Sequence, residues 1–265
     1  EGGLRALQMP CGGNVYILQG SEGVVLVDSG YGHYHADLMR CMEHMGIKAE
    51  DVDSILLTHA DADHCGSAGH FPCPTHLSPG SLSVIQSSDR AHGSSREGSI
   101  LESYYTRIIN LLSGCRPPSD VRLFPSRSQG RRGGFDIMER RSICGWELEV
   151  LQGMDGHVPG QTFFYLPRSN VLFSSDSLMD FNSLSPERKQ YMNLAKLLMT
   201  TVNVDSERAG AERRALQELA SQTGCLVCGG HGSVFCARGM DEWPVPSVSL
   251  YRHEEGTDPV DVPGR

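Results

Sequence analysis

Four side chains that commonly bind metal ions lie within six consecutive residues of this sequence. They are His59, Asp61, Asp63 and His64, in the stretch His59-Ala60-Asp61-Ala62-Asp63-His64. Imidazole and carboxylate groups are the usual protein ligands of zinc, iron and manganese. A solvated, Asp-rich turn that happens to contain two histidines is the alternative interpretation. The spacing therefore indicates a metal site, and the elements around it decide between the two interpretations.

The cluster follows an apolar run, residues 52–57, that predicts a buried strand. Two earlier apolar runs, 14–18 and 24–27, predict strands joined by a Gly-containing hairpin turn. Residues 35–45 carry a helical pattern that ends near a glycine. A hairpin followed by a strand–helix–strand step is typical of mixed α/β layering, in which strand ends place side chains at one edge of a sheet.

The second half of the chain presents single candidate ligands at the ends of further predicted strands. They are His157 in a loop after residues 146–151, Asp176 after residues 171–175, and His231 after residues 225–228. Helical patterns follow at 187–200 and 206–222. Separate strand ends thus carry separate ligands, which favours an assembled site over a chance cluster.

The middle of the chain is less regular. Residues 86–145 are polar and rich in Gly and Ser apart from a helical pattern at 100–112. We interpret this segment as an insertion that covers the site within a single domain, residues 1–240, followed by an irregular Pro-rich tail, 241–265. Three arginines of the segment either lie in a solvated loop or offer cations to an anionic substrate. They are Arg127, Arg131 and Arg132.

Composition narrows the classes of function. The chain has 265 residues, of which 39% are hydrophobic and 21% charged, which is ordinary for a soluble globular protein. A net charge of −9 disfavours nucleic acid as a partner, and no apolar run reaches the ~18 residues of a membrane-spanning helix. The nine cysteines are scattered, which disfavours a disulfide scaffold. We expect a cytoplasmic protein with a small-molecule substrate and no membrane partner, and the oligomeric state stays open.

Five motifs, in order along the chain, resemble those of the metallo-β-lactamase superfamily. They are Val27-Asp28-Ser29-Gly30, the stretch THADADHCG at 58–66, Gly156-His157-Val158-Pro159-Gly160, Phe173-Ser174-Ser175-Asp176, and Gly229-Gly230-His231-Gly232. The last three are similar to the family's G-H-T-P-G, F-x-G-D and P-G-H-G. The resemblance implies an α+β fold, a four-layer αβ/βα sandwich of two mixed sheets, with the metal site at the sheet edge.

The resemblance also implies a set of ligands for two divalent metal ions. One ion would be held by His59, Asp61 and His157, and the other by Asp63, His64 and His231. Asp176 would bridge the two ions, and Asp28 would support the site through hydrogen bonds.

Asp61 departs from the family pattern, because most hydrolytic members have histidine there. A carboxylate at this position favours iron or manganese over zinc, and it resembles the glutamate of flavodiiron proteins. If the shorter side chain of Asp61 does not reach, only one metal ion is well bound.

The activity implied by the resemblance is that of a dinuclear metal-dependent hydrolase. A hydroxide held between the ions would attack a small ester, lactone, thioester or phosphoester, and Asp63 and Asp176 are the candidate catalytic residues. Two alternatives stay open. One is a di-iron oxidoreductase or a protein that binds oxygen or nitric oxide, with a separate electron donor; the other is a non-catalytic binding protein that retains the fold.

Overall fold

The computed structural model describes residues 3–91, 101–192, 202–238 and 243. One sheet has six strands in the order β1-β2-β3-β4-β5-β6. They are β1 (Gly3–Gln8), β2 (Asn14–Gln19), β3 (Val24–Val27), β4 (Val52–Leu56), β5 (Thr75–Leu77) and β6 (Val121–Leu123). Strands β1 to β3 pair antiparallel, whereas β3 to β6 pair parallel. The sheet is therefore mixed.

The second sheet has seven strands in the order β13-β12-β11-β10-β9-β8-β7. They are β7 (Arg131–Arg132), β8 (Phe135–Ile143), β9 (Trp146–Gln152), β10 (Thr162–Leu166), β11 (Val171–Ser175), β12 (Leu226–Gly229) and β13 (Phe235–Cys236). Strands β11 and β12 are parallel and the other pairs are antiparallel. This sheet is also mixed.

Helices cover the outer faces of the sheets and carry part of the site. They are α1 (His35–His44), α2 (Ala62–Cys65), α3 (Pro79–Ser87), α4 (Leu101–Leu112), α5 (Pro186–Met192) and α6 (Ser206–Thr223). None of the described helices combines the length and the apolar character needed to span a bilayer.

The four layers follow from the alternation of side chains along each strand. In β2, Val15 and Ile17 pack with Leu38 and Met42 of α1. The intervening Tyr16 packs instead against the second sheet. Because both faces of the strand are buried, its sequence is a continuous apolar run.

The second sheet repeats this arrangement on the opposite side. Phe164 and Phe173 face the first sheet, whereas Phe163 packs against Leu216 and Leu219 of α6. The predicted αβ/βα sandwich of two mixed sheets is confirmed.

The structure extends the sequence predictions at several elements. Strand β1 and the nine-residue strand β8 were not predicted. The short helix α2, which begins at Ala62 inside the cluster 59–64, was not predicted either. Within the segment 86–145, β6 and β8 are strands of the two sheets and so belong to the framework. The remainder of the predicted cover includes 92–100, outside the described residues.

Two predictions near the carboxyl end are described only in part. The predicted helix 187–200 corresponds to α5, and its residues 193–200 lie outside the described part of the chain. The predicted tail 241–265 lies outside it as well, apart from Trp243. The division into a domain, 1–240, and a tail stays a prediction.

Candidate metal centre

Strand ends bring all seven predicted ligands to one edge of the sandwich. Asp176 directly follows β11, and His231 follows β12 by two residues. His157 lies in the loop between β9 and β10, and the cluster 59–64 lies between β4 and the end of α2. Main-chain hydrogen bonds join the two sheets there, since Thr162 donates to the carbonyl of Thr58 at 2.7 Å.

The first three side chains, His59, Asp61 and His157, form what we call half A of the site. Oδ2 of Asp61 lies 3.3 Å from Nε2 of His157 and 3.7 Å from Nε2 of His59. Both imidazoles are buried, and the Asp61 side chain is 21% exposed.

The other three side chains, Asp63, His64 and His231, form half B with nearly the same geometry. Oδ2 of Asp63 lies 3.4 Å from Nε2 of His231 and 3.7 Å from Nε2 of His64. The Asp63 side chain is 17% exposed, and both imidazoles are buried.

Asp176 lies between the two halves. Its Oδ1 is 3.3 Å from Nε2 of His64, and its Oδ2 is 3.3 Å from Nε2 of His231. The same Oδ2 is 3.6 Å from Nε2 of His157 in half A. One carboxylate thus faces imidazoles of both halves, which is the arrangement expected of a bridging ligand.

Several of these buried atoms lack a hydrogen-bond partner among the described residues. They are Nε2 of His59, His64 and His157 and Oδ1 of Asp176. Buried polar atoms are normally satisfied, and a cation between them would satisfy them together. Candidate ligand atoms of His59, His157 and Asp176 lie within 4.8 Å of one another, as do those of Asp63, His64 and His231. The residues present therefore fit a pair of divalent metal ions.

Asp28 orients an imidazole of half B. Its Oδ2 lies 2.8 Å from Nδ1 of His64, which leaves Nε2 for the centre of the site. Thr58 donates to the same carboxylate from its amide and from its hydroxyl group, each at 2.8 Å. Asp28 directly follows β3 and has a φ of 60°, a conformation that non-glycine residues rarely adopt. These are the hydrogen bonds that the predicted supporting role of Asp28 requires.

The other three imidazoles are oriented by neutral groups. Nδ1 of His59 lies 3.0 Å from the hydroxyl groups of Thr58 and Ser175. Nδ1 of His157 is 3.2 Å from Oδ1 of Asn203, and Nδ1 of His231 is 3.1 Å from the carbonyl oxygen of Gly12. Each ring therefore has its Nδ1 engaged and its Nε2 facing the site.

Arg90 binds the terminal carboxylate of half A, which sequence reasoning missed. Its Nε donates to Oδ1 of Asp61 at 3.1 Å and its Nη2 donates to Oδ2 at 2.9 Å. Arg90 is 3% exposed, so its guanidinium is shielded from water. Bidentate pairs of this kind are stronger and more directional than single ion pairs.

Charges inside the site shift the acid–base properties of its members. Burial raises the pKa of Asp61, but Arg90 and the neighbouring imidazoles outweigh it and hold that pKa well below its usual range. Burial lowers the pKa of His64, but Asp176, Asp63 and Asp28 outweigh it and raise that pKa well above its ordinary value. At both residues, neighbouring groups of opposite charge thus outweigh the effect of burial.

Burial and the neighbouring His64 lower the pKa of His59. Burial also lowers the pKa of His231, but the charge of Asp176 outweighs it and raises the pKa. The pKa values of these two imidazoles are therefore shifted in opposite directions.

Glycine is required where the chain passes closest to the ligands. A Cβ at Gly230 would lie 1.9 Å from Oδ1 of Asp176. Gly12 has a φ of +81°, and a Cβ there would lie 2.8 Å from Cβ of Asp63. These positions explain why Gly-rich segments flank the ligands.

Glu212 of α6 links two of the loops that carry ligands, and it was also missed. It is fully buried and accepts hydrogen bonds from the amide of Met154, at 2.5 Å, and from the hydroxyl group of Ser177. Met154 precedes His157 by three residues, and Ser177 follows Asp176. The second sheet's outer helix therefore helps to fix both loops.

One of the three arginines predicted to be solvated or to bind an anion forms a bidentate pair with a buried carboxylate. Arg132 donates to Glu149 of β9 at 2.7 and 3.0 Å, and the Glu149 side chain is 6% exposed. Arg127 and Arg131 are exposed, as the solvated-loop interpretation expects.

Comparison with known proteins agrees with the motifs and the topology. A family model described as the metallo-beta-lactamase superfamily matches residues 9–84, which include Asp28 and the cluster 59–64. The resemblance is confirmed. The chain has the metallo-β-lactamase fold.

Solved structures of this fold resemble most of this chain. A metallo-beta-lactamase family protein from Thermus thermophilus is 24% identical, with a TM-score of 0.57, and the match covers 89% of this chain and 74% of that one. AidC, a dizinc quorum-quenching lactonase, is 17% identical, with a TM-score of 0.53 and coverage of 83% and 72%. The BLEG-1 B3 metallo-beta-lactamase is 21% identical, with a TM-score of 0.53 and coverage of 88% and 94%. A comparison with curated proteins finds no match.

Proposed function

We propose that this metallo-β-lactamase-fold chain is a dinuclear metal-dependent hydrolase. The observation that carries the proposal is the position of Asp176, whose two oxygens lie 3.3 to 3.6 Å from imidazoles of both halves. With a terminal carboxylate in each half, the residues supply ligands for two ions. The substrate would be a small ester, lactone, thioester or phosphoester.

Two bound divalent ions would supply a nucleophilic hydroxide at neutral pH and a Lewis acid for a carbonyl or phosphoryl oxygen. The protein's part is to hold the ligands in place, because each imidazole is fixed through its Nδ1. Asp63 is the candidate for orienting the attacking water or accepting its proton. Its counterpart Asp61 is engaged by Arg90 on both oxygens and is less suited to that role.

The structural relatives support hydrolysis as the first activity to test. One of them is described as a dizinc quorum-quenching lactonase in complex with a product, and another as a B3 metallo-β-lactamase. Their names state activity on a lactone and on a β-lactam, which are both cyclic acyl compounds. At this level of identity they share the fold with this chain, and the substrate assignment is part of the proposal.

Asp61 favours a second candidate, a di-iron protein that reacts with oxygen or nitric oxide. Each half has two imidazoles and one terminal carboxylate, a harder and more anionic donor set than three imidazoles. Such a protein would need a separate electron donor.

The test is a panel of ester, lactone, thioester and phosphodiester substrates, assayed with the metal-free protein and after addition of zinc, manganese or ferrous iron. Hydrolysis that requires a metal ion and disappears in Asp176→Ala supports the proposal. Oxygen or nitric oxide consumption by the iron form, with no hydrolysis of any of these substrates by any metal form, would replace it with the di-iron alternative.

A further inference from the structure

The two halves of the site are matched in ligand type and in distance. Each has two imidazoles and one terminal carboxylate, and the carboxylate oxygen lies 3.3 and 3.7 Å from its imidazoles in half A and 3.4 and 3.7 Å in half B. The groups behind these ligands, by contrast, differ between the halves.

The groups behind the two carboxylates differ most. Arg90 donates to both oxygens of Asp61. Oδ2, the oxygen nearest the imidazoles, thus shares its electron density with a guanidinium at 2.9 Å. Among the described residues, the ion-pair contacts of Asp63 are with His64 and His231 of its own half. A cation behind a carboxylate lowers its donor strength and repels an incoming metal ion, so half A is at a disadvantage.

The groups behind the imidazoles also favour tighter metal binding in half B. His64 of half B has the carboxylate of Asp28 at its Nδ1, and a carboxylate behind a metal-binding imidazole raises its basicity. His59 of half A has only neutral hydroxyl groups at 3.0 Å. Nδ1 of His157 and Nδ1 of His231 each face a neutral oxygen, so these two imidazoles do not alter the difference in metal affinity between the halves.

We infer that the two metal sites are unequal, that half B binds the first metal ion tightly, and that Arg90 makes half A the weaker, second site. This inference rests on the proposed dinuclear function. It gives Arg90 a defined role as a positioning residue that acts through Asp61. It also predicts a protein that holds one ion firmly and exchanges the other.

The test is a titration of metal-free protein with Co²⁺, followed by its visible absorption and by competition with a chelator. Wild type is expected to bind two ions in steps that differ in affinity by at least about tenfold. Asp63→Asn should remove the tight step, whereas Asp61→Asn should weaken only the second step. Loss of the tight step in Asp61→Asn instead would overturn the assignment.

Variants of Arg90 separate its charge from a merely structural role. Arg90→Met should raise the affinity of the second step about tenfold, because the cation that opposes the metal ion is gone. Arg90→Lys keeps the charge and should leave that step near the wild-type value. A second step that is unchanged or weakened in a folded Arg90→Met protein, as judged by circular dichroism, would contradict the inference.

Arg132→Met is the matched control, since Arg132 forms a similar bidentate pair with Glu149, which is not a candidate ligand. It should leave both steps unchanged, and a shift equal to that of Arg90→Met would show that loss of any such pair suffices. If the wild-type protein binds fewer than two ions, the dinuclear function itself is refuted. Wild type that binds two ions with equal affinity would refute only the inequality.

Discussion

Asp61 and Asp63 are two residues apart in the sequence and face their imidazoles at almost the same distances, 3.3 and 3.7 Å against 3.4 and 3.7 Å. Their side chains are also similarly exposed, at 21% and 17%. What separates them is Arg90, which lies in a different part of the chain and whose guanidinium donates to both oxygens of Asp61. Short-range spacing thus sets the geometry of the two halves, and long-range contacts set their electrostatics.

The largest loss of metal binding is expected from a change in Asp176, which lies between the two halves. Asp176→Ala should abolish binding of the second ion and weaken binding of the first, because Asp176 contacts His64 and His231 in half B as well as His157 in half A. Metal-dependent hydrolysis should fall by more than the roughly 10- to 100-fold typical of an outer-shell change, since a candidate ligand itself is lost. Plasma emission spectrometry of the purified variant measures the metal content. Retention of two ions per chain would show that Asp176 is not shared.

Loss of a ligand from half A alone should remove one metal ion and leave the other bound. His157→Ala should reduce the metal content to about one ion per chain and leave the tight step intact, because half B keeps its imidazoles and Asp63. His231→Ala is the matched variant in half B and should remove the tight step instead. The Co²⁺ titration distinguishes the two variants. Identical curves would contradict the assignment of the tight step to half B.

A smaller effect is expected from the group behind His64. Asp28→Asn keeps the size of the side chain but removes the negative charge at Nδ1, so the affinity of the tight step should fall by about 10- to 100-fold. The second step should change less. Thr58→Val tests the alternative that the loss comes from a disturbed loop, because Thr58 donates to the same carboxylate without charge. An equal loss in both variants would favour the disturbed loop.

The smallest effect is a difference in pH dependence between the two steps. The pKa of His64 is raised by Asp176, Asp63 and Asp28 against the effect of burial, so the metal-free half B holds a proton that an ion must displace. The tight step should therefore weaken by at least about tenfold per pH unit as the pH falls below that raised pKa. The pKa of His59 is lowered by burial, so His59 adds no such dependence to half A. Calorimetry in buffers of different ionisation enthalpy counts the protons released, and equal release at both steps would contradict this difference.

The ligands could be predicted because each lies next to a strong local signal. Asp176 and His231 follow apolar runs that predict buried strands, and His59 follows another. Because strand ends meet at a sheet edge, the sequence alone indicates that these side chains converge. Asp28 is found in the same way, directly after β3.

Arg90 and Glu212 could not be predicted, because neither has a local pattern that marks it. Arg90 comes from a polar stretch 29 residues from its partner Asp61. Glu212 lies on a helix among charged residues, and only the packing of α6 buries it fully. Strand β8 was missed for a related reason, since its charged residues 139–141 interrupt the apolar alternation. What fails to be predicted is the set of contacts made across the fold.

The measurement that tests the dinuclear site most directly is the metal content of the protein as purified, without added metal, and again after dialysis against a weak chelator. A dinuclear site with unequal halves should hold about two ions per chain at first and one after dialysis, with the remaining ion lost in Asp63→Asn. A protein that holds no ion in either state, and binds none when zinc, manganese or ferrous iron is added, would contradict it.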